Sequence, residues 1–434
     1  MHSQAHRARS IAVVGSGIAG LTAAYILACH NRVTLYEAAE RLGGHAHTHL
    51  VEADDGRRLA VDSAFLVYND RTYPTLCRLF GELGVQGTET EMSLSVRNDA
   101  TGLEYAGARG IGGLFASPRT LHPRNLLMLA EIRRFHAAAN AVLQQSGTED
   151  LETLEAFLLR HKFSAYFRTN FMTPLVAAVW SCNAGEALSY PARYLFTFLE
   201  HHGMLSVFGS PKWRTVTGGS INYVQRIAAR LDEVLTNAAV YSLRRVPEGV
   251  LVDARGSQQR HFDAAVVAVH PDQALRLLDR PTARERAVLG AMPYSTNHAQ
   301  LHTDESMLPR HRRARASWNY RVAPERPGVL VTYDVSRLMR IDSRRRFLVT
   351  LGGSDLIDPR SVLSEMTYQH PLFTQESVAA QKRLSELGDD RIAFAGAYHG
   401  WGFHEDGAAS GVRAAWRLGV DWAPATACDQ ACAC

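Results

Sequence analysis

The 434-residue chain has almost no lysine. Only Lys162, Lys212 and Lys382 occur, and the other 44 of its 47 cationic residues are arginines. Chemistry that needs an amine side chain is confined to three positions. Cysteine is sparse too. Cys29, Cys77 and Cys182 stand among apolar residues and read as small buried hydrophobes. Cys428, Cys432 and Cys434 form a C-x3-C-x-C that reads as part of a disordered tail over 425–434, not as a metal or redox site. This usage excludes a secreted disulfide framework. No run of 18 apolar residues occurs, and the residues before Ile11 are polar, without an apolar leader core. A membrane span is excluded. The expected location is the cytoplasm, with peripheral contact to the inner face of the membrane left open. A large charge excess is missing as well: a net charge of +4 does not suit a dedicated nucleic-acid binder. The length exceeds one ordinary core and suits two domains, and no internal repeat or low-complexity linker divides them.

What is present begins with a strand-like run, Ile11-Ala-Val-Val14, that leads into Gly15-Ser-Gly17-Ile18-Ala19-Gly20. A helical pattern follows, then a second apolar run, Val33-Thr-Leu-Tyr36, ending on Glu37, 22 residues after Gly15. This is a βαβ dinucleotide fingerprint with every part in place. Gly15 permits the tight turn, Gly17 lets a pyrophosphate approach the backbone, and Gly20 lets the helix pack on the strand. The helix N-terminus favours the anion. Glu37 is placed to bind ribose hydroxyls and disfavours a 2′-phosphate by repulsion.

Next comes Glu40-Arg41-Leu-Gly43-Gly44-His45-Ala-His47-Thr48. Paired glycines let backbone press against a planar or anionic ligand, and Arg41 offers a fork for phosphate oxygens. Downstream, Val240–Val246 and Gly249–Asp253 read as paired strands, and His261–Val269 as a buried strand ended by Pro271. Thr215–Ser220 precedes a helical pattern from Ile221 to Leu231, and Arg391–Gly396 leads through an aromatic loop to a helix with Glu405, Gly407, Ala408, Ser410 and Gly411 at its start.

These segments, in this order, resemble the flavin amine oxidase/phytoene desaturase superfamily over essentially the whole chain. The nearest likeness is to a bacterial subgroup of predicted NAD/FAD-binding, amine-oxidase-like proteins associated with enzymes that methylate or cyclopropanate fatty acyl chains. The resemblance implies an FAD cofactor held by Gly15, Gly17, Ile18, Ala19, Gly20, Glu37, Arg41, Gly43, Gly44, Val240, Gly396, Gly407 and Ala408. In it, Val240 meets the adenine through its backbone, and the last helix N-terminus faces the flavin's pyrimidine edge. Two departures stand out: Ala397 where relatives carry an acid, and Ala64 in Asp62-Ser-Ala64 where glycine is usual, a change expected to tighten the loop near the flavin. The implied fold is α/β: a discontinuous doubly wound, Rossmann-like FAD domain (1–80, 208–290 and 388–424) with an α+β substrate domain (81–207 and 291–387). Helices over Asn125–His136 and Thr153–Leu159, and strands over Val329–Tyr333 and Phe347–Leu351, belong to the second.

Two chemistries compete. Amine oxidases of the resembled group carry an aromatic cage and a lysine near flavin N5. Phe403 suits one cage position, with Trp401 or Tyr398 beside it. The strand expected to carry the lysine reads Tyr294–His302, and no lysine occurs between 212 and 382. The other chemistry is desaturation, oxidation or isomerisation of an unsaturated or methyl-branched acyl chain, by hydride exchange with flavin N5 and a base for the proton. His404 and Glu405 are the candidates for that base, with Phe403 and Tyr398 completing the catalytic set. Metal binding by the alternating His45, His47 and His49 is not expected, because that segment runs along the cofactor. The apolar runs Tyr194–Leu199 and Met204–Phe208, with Arg119, Arg124, Arg133 and Arg134 nearby, suit a lipid or other apolar small-molecule substrate. An amine oxidase with an atypical site and a flavin-binding protein without turnover remain alternatives.

Overall fold

The computed structural model describes residues 8–145, 152–206, 211–323, 325–326 and 328–422. The 425–434 tail and its three cysteines, with Val207 and Phe208, lie outside the described residues. Ser10–Val14 forms the centre of a five-stranded sheet ordered Glu233–Leu235, Arg32–Tyr36, Ser10–Val14, Ala264–Val267, Ile392–Phe394. Every pairing in it is parallel. Parallel strands are covered on both faces, which is why these read as unbroken apolar runs. The His261–Val269 run is two short strands, Arg260–Phe262 and Ala264–Val267. The first joins the Val240–Val246/Gly249–Ala254 hairpin in a separate antiparallel sheet.

Helices covering the sheets include α1 (Ile18–Leu27), α2 (Pro74–Leu83), α3 (Pro123–Gln144), α4 (Ala192–His201), α5 (Ile221–Ala228) and α6 (His404–Arg417). All ten residues of α1 are buried. Its outer side takes α6, and glycines permit the approach. A Cβ on Gly407 would fall 2.6 Å from Ile18 Cγ2, and one on Gly411 would overlap the Ala19 carbonyl oxygen.

The second sheet has seven strands: Val362–Pro371, Tyr294–His302, Leu348–Leu351, Val331–Asp334, Trp318–Val322, Leu94–Asn98 and Leu103–Gly107. Only the Trp318–Val322/Leu94–Asn98 pairing is parallel. A core containing Phe135, Phe157, Phe167, Phe196, Tyr333 and Val349 joins this sheet to α3 and α4. The helix expected at Asn125–His136 extends from Pro123 to Gln144. The one at Thr153 is capped by the Thr153 hydroxyl, which accepts from Ala156 N–H. Tyr68–Asn69, Trp213–Val216 and Gly87–Thr90 form a separate small antiparallel sheet. No described helix is long and apolar enough to cross a membrane.

Candidate active site

The site grows outward from the N-terminus of α1. Gly15 (φ +99°) turns the chain off its strand, and a Cβ there would meet the Ala268 carbonyl oxygen at 2.5 Å. Gly17 caps α1 with no side-chain hydrogen bond to the helix and no acid in the first turn. The free amides of a buried helix start need an anion or another acceptor. A Cβ on Gly17 would meet nothing within 4 Å, whereas one on Gly44 would come 3.2 Å from Gly17 Cα. The paired glycines of Gly43-Gly44 thus lie against the helix start and leave open space before it. Gly43 (φ +106°) is tied to Ser16, its amide donating to the Ser16 hydroxyl at 3.0 Å.

Glu37 is held at the tip of its strand by Ser16 N–H (3.0 Å) and Ala39 N–H (2.9 Å). The loop leading to Val240 bonds to the same tip: Ala238 N–H donates to Glu37 O at 2.9 Å. Arg41 is half-buried with no carboxylate within ion-pairing distance among the described residues, and burial lowers its pKa. An uncapped helix start, open space at Gly17, a sheltered guanidinium bonded to the Leu42 and Ala46 carbonyls, and an acid at the ribose position fit an FAD pyrophosphate and ribose. They are the residues that would hold it.

The hairpin of His47–Glu52 and Arg58–Ala64 runs from this cradle toward the seven-stranded sheet. Asp62 anchors it, accepting from Thr48 Oγ1 (2.5 Å), Ser220 Oγ (2.9 Å) and Ser220 N–H (3.0 Å) at the start of α5. Burial nonetheless raises Asp62 to about 6. The residue after Ala64, Phe65, has a φ of +47°. A bulky residue there stores strain, a feature that gathers at functional sites.

Phe65 stacks on His404 at 3.6 Å with the rings 11° apart. His404 Nε2 lies 3.3 Å from Tyr223 OH, and burial lowers its pKa to about 3. The imidazole is therefore neutral at physiological pH and does not titrate there as the sequence suggested. Glu405 is engaged elsewhere: its two oxygens accept from Thr75 N–H and Leu76 N–H, both at 3.0 Å, and so cap α2. That bonding gives Glu405 the part of a helix cap in place of a base. Tyr398 packs under Gly396 in the core behind the parallel sheet with Val14, Val267 and Met292, away from Phe403. Gly396 N–H donates to Ser410 Oγ at 2.9 Å. Gly407 and Ala408 face α1 and are buried.

Phe403 belongs to an aromatic wall. It stacks on Phe198 (5.1 Å, 16°) and meets Trp180 edge-on at 6.2 Å. Trp401 lies 6.0 Å from Phe198. The loop carrying them is clamped through its carbonyls: Trp180 Nε1 donates to Trp401 O (3.1 Å), and Gln381 Nε2 and Tyr194 OH donate to Gly400 O (2.6 and 3.0 Å).

The sequence did not reveal what the seven-stranded sheet contributes. Tyr368 OH bonds to His47 Nδ1 (2.9 Å) and to Ser63 Oγ (2.7 Å), and Ser63 Oγ bonds to His49 Nε2 (2.8 Å). His45 lies 5.2 Å from His370 between ring centres, and its Nε2 is buried without a partner. His370 Nδ1 is 3.0 Å from Asn297 Nδ2, on the strand expected to carry a lysine. Burial lowers His47 to about 3, and His49 and His370 to about 4, so each is neutral. No metal-holding cluster forms among the described residues. The alternating histidines His45, His47 and His49 are instead hydrogen-bonding and stacking groups. Lys212 is exposed, 3.9 Å from Glu89, and Lys162 and Lys382 are also at the surface. Cys182 is buried, while Cys29 and Cys77 are only partly so.

The chain matches the fold of a "CLA-producing fatty acid isomerase" from P. acnes with a TM-score of 0.68 and 17% identity, covering 96% of this chain and 100% of that one. Cyclohexylamine oxidase from Brevibacterium oxydans IH-35A gives 0.68 and 16%, covering 98% and 99%. At such identities the likeness is one of fold. An L-amino-acid oxidase from Pseudechis australis is 51% identical over 47 residues; the match spans 11% of this chain and only 9% of that relative's length. The family model described as flavin containing amine oxidoreductase matches residues 18–419. With that match across nearly the whole chain, the protein belongs to the flavin-containing amine oxidoreductase family and is an FAD-dependent oxidoreductase.

Proposed function

We propose that this flavoenzyme oxidises, desaturates or isomerises an apolar acyl chain, unsaturated or methyl-branched and lipid-linked, met at a membrane surface. The carrying observation is the absence of any lysine from the Tyr294–His302 strand, with all three lysines at the protein surface. The aromatic wall of Phe403, Phe198 and Trp180 supports it, because such a wall suits a hydrocarbon chain as well as an amine. Bound FAD supplies an acceptor for hydride from a C–H bond. The accompanying proton falls to side chains. With Glu405 capping α2, the residues suited to move it are the hydroxyl-paired imidazoles: His404 with Tyr223, and His47 and His49 with Tyr368 and Ser63. Neutral imidazoles can accept at one nitrogen and donate at the other. Phe403 shapes the substrate side, and Tyr398 supports the loop from below.

The test is anaerobic. Unsaturated and methyl-branched phospholipids or fatty acids in detergent, and in parallel a panel of amines, are added to the oxidised holoenzyme. The reading requires flavin bleaching by lipid, or a shifted double bond by mass analysis without net bleaching. Bleaching by amines alone would overturn it in favour of an amine oxidase with an atypical site. No reaction with either would leave a flavin-binding protein without turnover.

A further inference from the structure

Four of the nine exposed large apolar side chains among the described residues fall within 17 positions of one another. They are Ile111 (78% exposed), Leu121 (61%), Leu126 (46%) and Leu127 (56%). They sit on three consecutive elements: Gly110–Leu114, Pro118–Leu121 and the first five residues of α3. The first two pack on Leu103–Gly107, the edge strand of the seven-stranded sheet, and the second also packs on α3. Soluble surfaces scatter such residues singly, so a cluster marks a contact site.

The segments that carry them hold no acid, and Arg109 beside them pairs with Glu91. No aspartate or glutamate occurs from 105 to 130, a stretch that includes Arg119 and Arg124. A second basic segment, Arg310–Arg313, is brought to the same edge by Glu104 on the edge strand. Its carboxylate accepts from Arg310 N–H (3.0 Å) and His311 N–H (2.8 Å). That acid is thereby occupied with backbone. Residues 310–313 are exposed, and Arg312–Ala314 packs on Gly110–Leu114. None of Arg119, Arg124, Arg310, Arg312 or Arg313 has an ion-pair partner among the described residues. Arg134, by contrast, pairs with Glu131 and lies over Phe163.

We infer that this face is a docking surface for a bilayer rich in anionic phospholipid, its leucines and Ile111 entering the headgroup–acyl boundary and its arginines meeting phosphates. Apolar side chains flanked by unpaired cations are what such a boundary binds. A nucleic acid would match the charge but leave the aliphatic side chains in water. A second copy of the chain on the same face would set unpaired arginines against one another. A chain of polar contacts leads from Arg119 to a hollow. Arg119 donates to Thr101 O (2.5 Å) on the 98–102 turn, and Asp99 of that turn pairs with Arg321. Arg321 lines a cavity of about 470 Å³ with Tyr320, Leu188 and Arg168. Arg168 opens a π-helical turn, Arg168–Met172, and its Nε is buried without a partner. π-Turns recur at functional sites.

The inference rests on the acyl-chain reading for its purpose, but vesicle binding is scored without turnover, so the two fail separately. The holoenzyme is floated with vesicles of phosphatidylcholine alone and with about one third phosphatidylglycerol. Two variants are compared with it: Leu121→Ser/Leu126→Ser/Leu127→Ser and Arg124→Glu/Arg312→Glu/Arg313→Glu. Flavin absorbance and melting temperature report that each is folded. The wild type is expected to bind anionic vesicles at least about tenfold more tightly than neutral ones, and to be released by about 0.5 M salt. Each variant is expected to lose about tenfold or more in vesicle binding. No anionic preference, or binding untouched by either variant, would overturn the inference. So would a dimer that the leucine variant dissociates. RNA binding that the arginine variant loses and the leucine variant keeps, with no vesicle binding, would assign the face to nucleic acid.

Discussion

The parallel sheet and the seven-stranded sheet hold opposite sides of the site and specify it by different means. On the parallel-sheet side the specification is a lack of atoms. Gly15, Gly20, Gly407 and Gly411 stand where a Cβ would strike backbone or a packed helix, and Gly17 where it would enter the space before α1. On the other side it lies in which atoms are present: Tyr368 and the Asn297–His370 pair of the seven-stranded sheet, Ser63, His47 and His49 of the hairpin that meets it, and the wall around Phe403. A requirement for no side chain admits one residue and leaves a motif. A requirement for a given surface can be met by many residues and leaves none. The same fold accordingly houses proteins described as amine oxidases and as a fatty acid isomerase.

The largest effect should come from Gly20→Ala. Its Cβ would overlap the Gly15 carbonyl oxygen, with Ala268 Cβ at 3.1 Å. The turn and helix must move apart, at an expected cost above ~3 kcal/mol. A melting temperature near wild type would break the claim that backbone contact limits this side.

Gly17→Ala sharpens it, because the added methyl touches no protein atom. The apoprotein should keep its stability within ~1 kcal/mol, while the flavin-to-protein absorbance ratio collapses. A full flavin complement would mean the space at Gly17 is not the cofactor's.

Glu405→Gln distinguishes a helix cap from a base. The loss of a charged acceptor at the α2 N-terminus should cost ~1–2 kcal/mol by denaturant unfolding. Turnover per bound flavin should stay within about threefold, whereas loss of a general base costs ~100-fold or more. A collapse in kcat with stability intact would restore Glu405 to catalysis.

The smallest effect concerns pH. Burial raises Asp406 to about 7, while Phe403 N–H donates to it at 2.9 Å. An unfolded aspartate titrates near ~3.9, so between these values the folded chain holds a proton that the unfolded chain releases. The stabilisation is complete below about pH 4 and lost as the pH rises through about 7. Asp406→Asn keeps an acceptor for Phe403 and cannot ionise. Its melting temperature should exceed the wild type's above pH 7, with the gap closing toward pH 5. A constant gap would show that Asp406 does not titrate in this range. A shared residual slope from Asp62, raised by burial to about 6, should remain in both proteins.

The parts proposed as a nucleotide cradle could be read from the sequence because they are close together or carry a spacing that backbone geometry imposes: Gly15 to Gly20, Glu37 at the strand tip, Arg41 with Gly43-Gly44. The loop of Trp401 and Phe403 was visible as a motif, but not the employment of its neighbours. Nothing near Glu405 in sequence announces the α2 amides at Thr75 and Leu76. Tyr368 and His370 alternate along a strand, so a shared face could be expected of them. That this face meets His45 and His47, over 300 positions earlier, depends on how the chain crosses between sheets.

By itself the sequence determined the cofactor class, the parallel βαβ core and the shortage of amine side chains, because each follows from local backbone demands or from composition. Only the tertiary structure decided which polar groups are free for chemistry. A hydrogen bond is made once, and the partners that engage Glu405 and His404, or join Tyr368 to His47, come from distant segments that packing alone brings together.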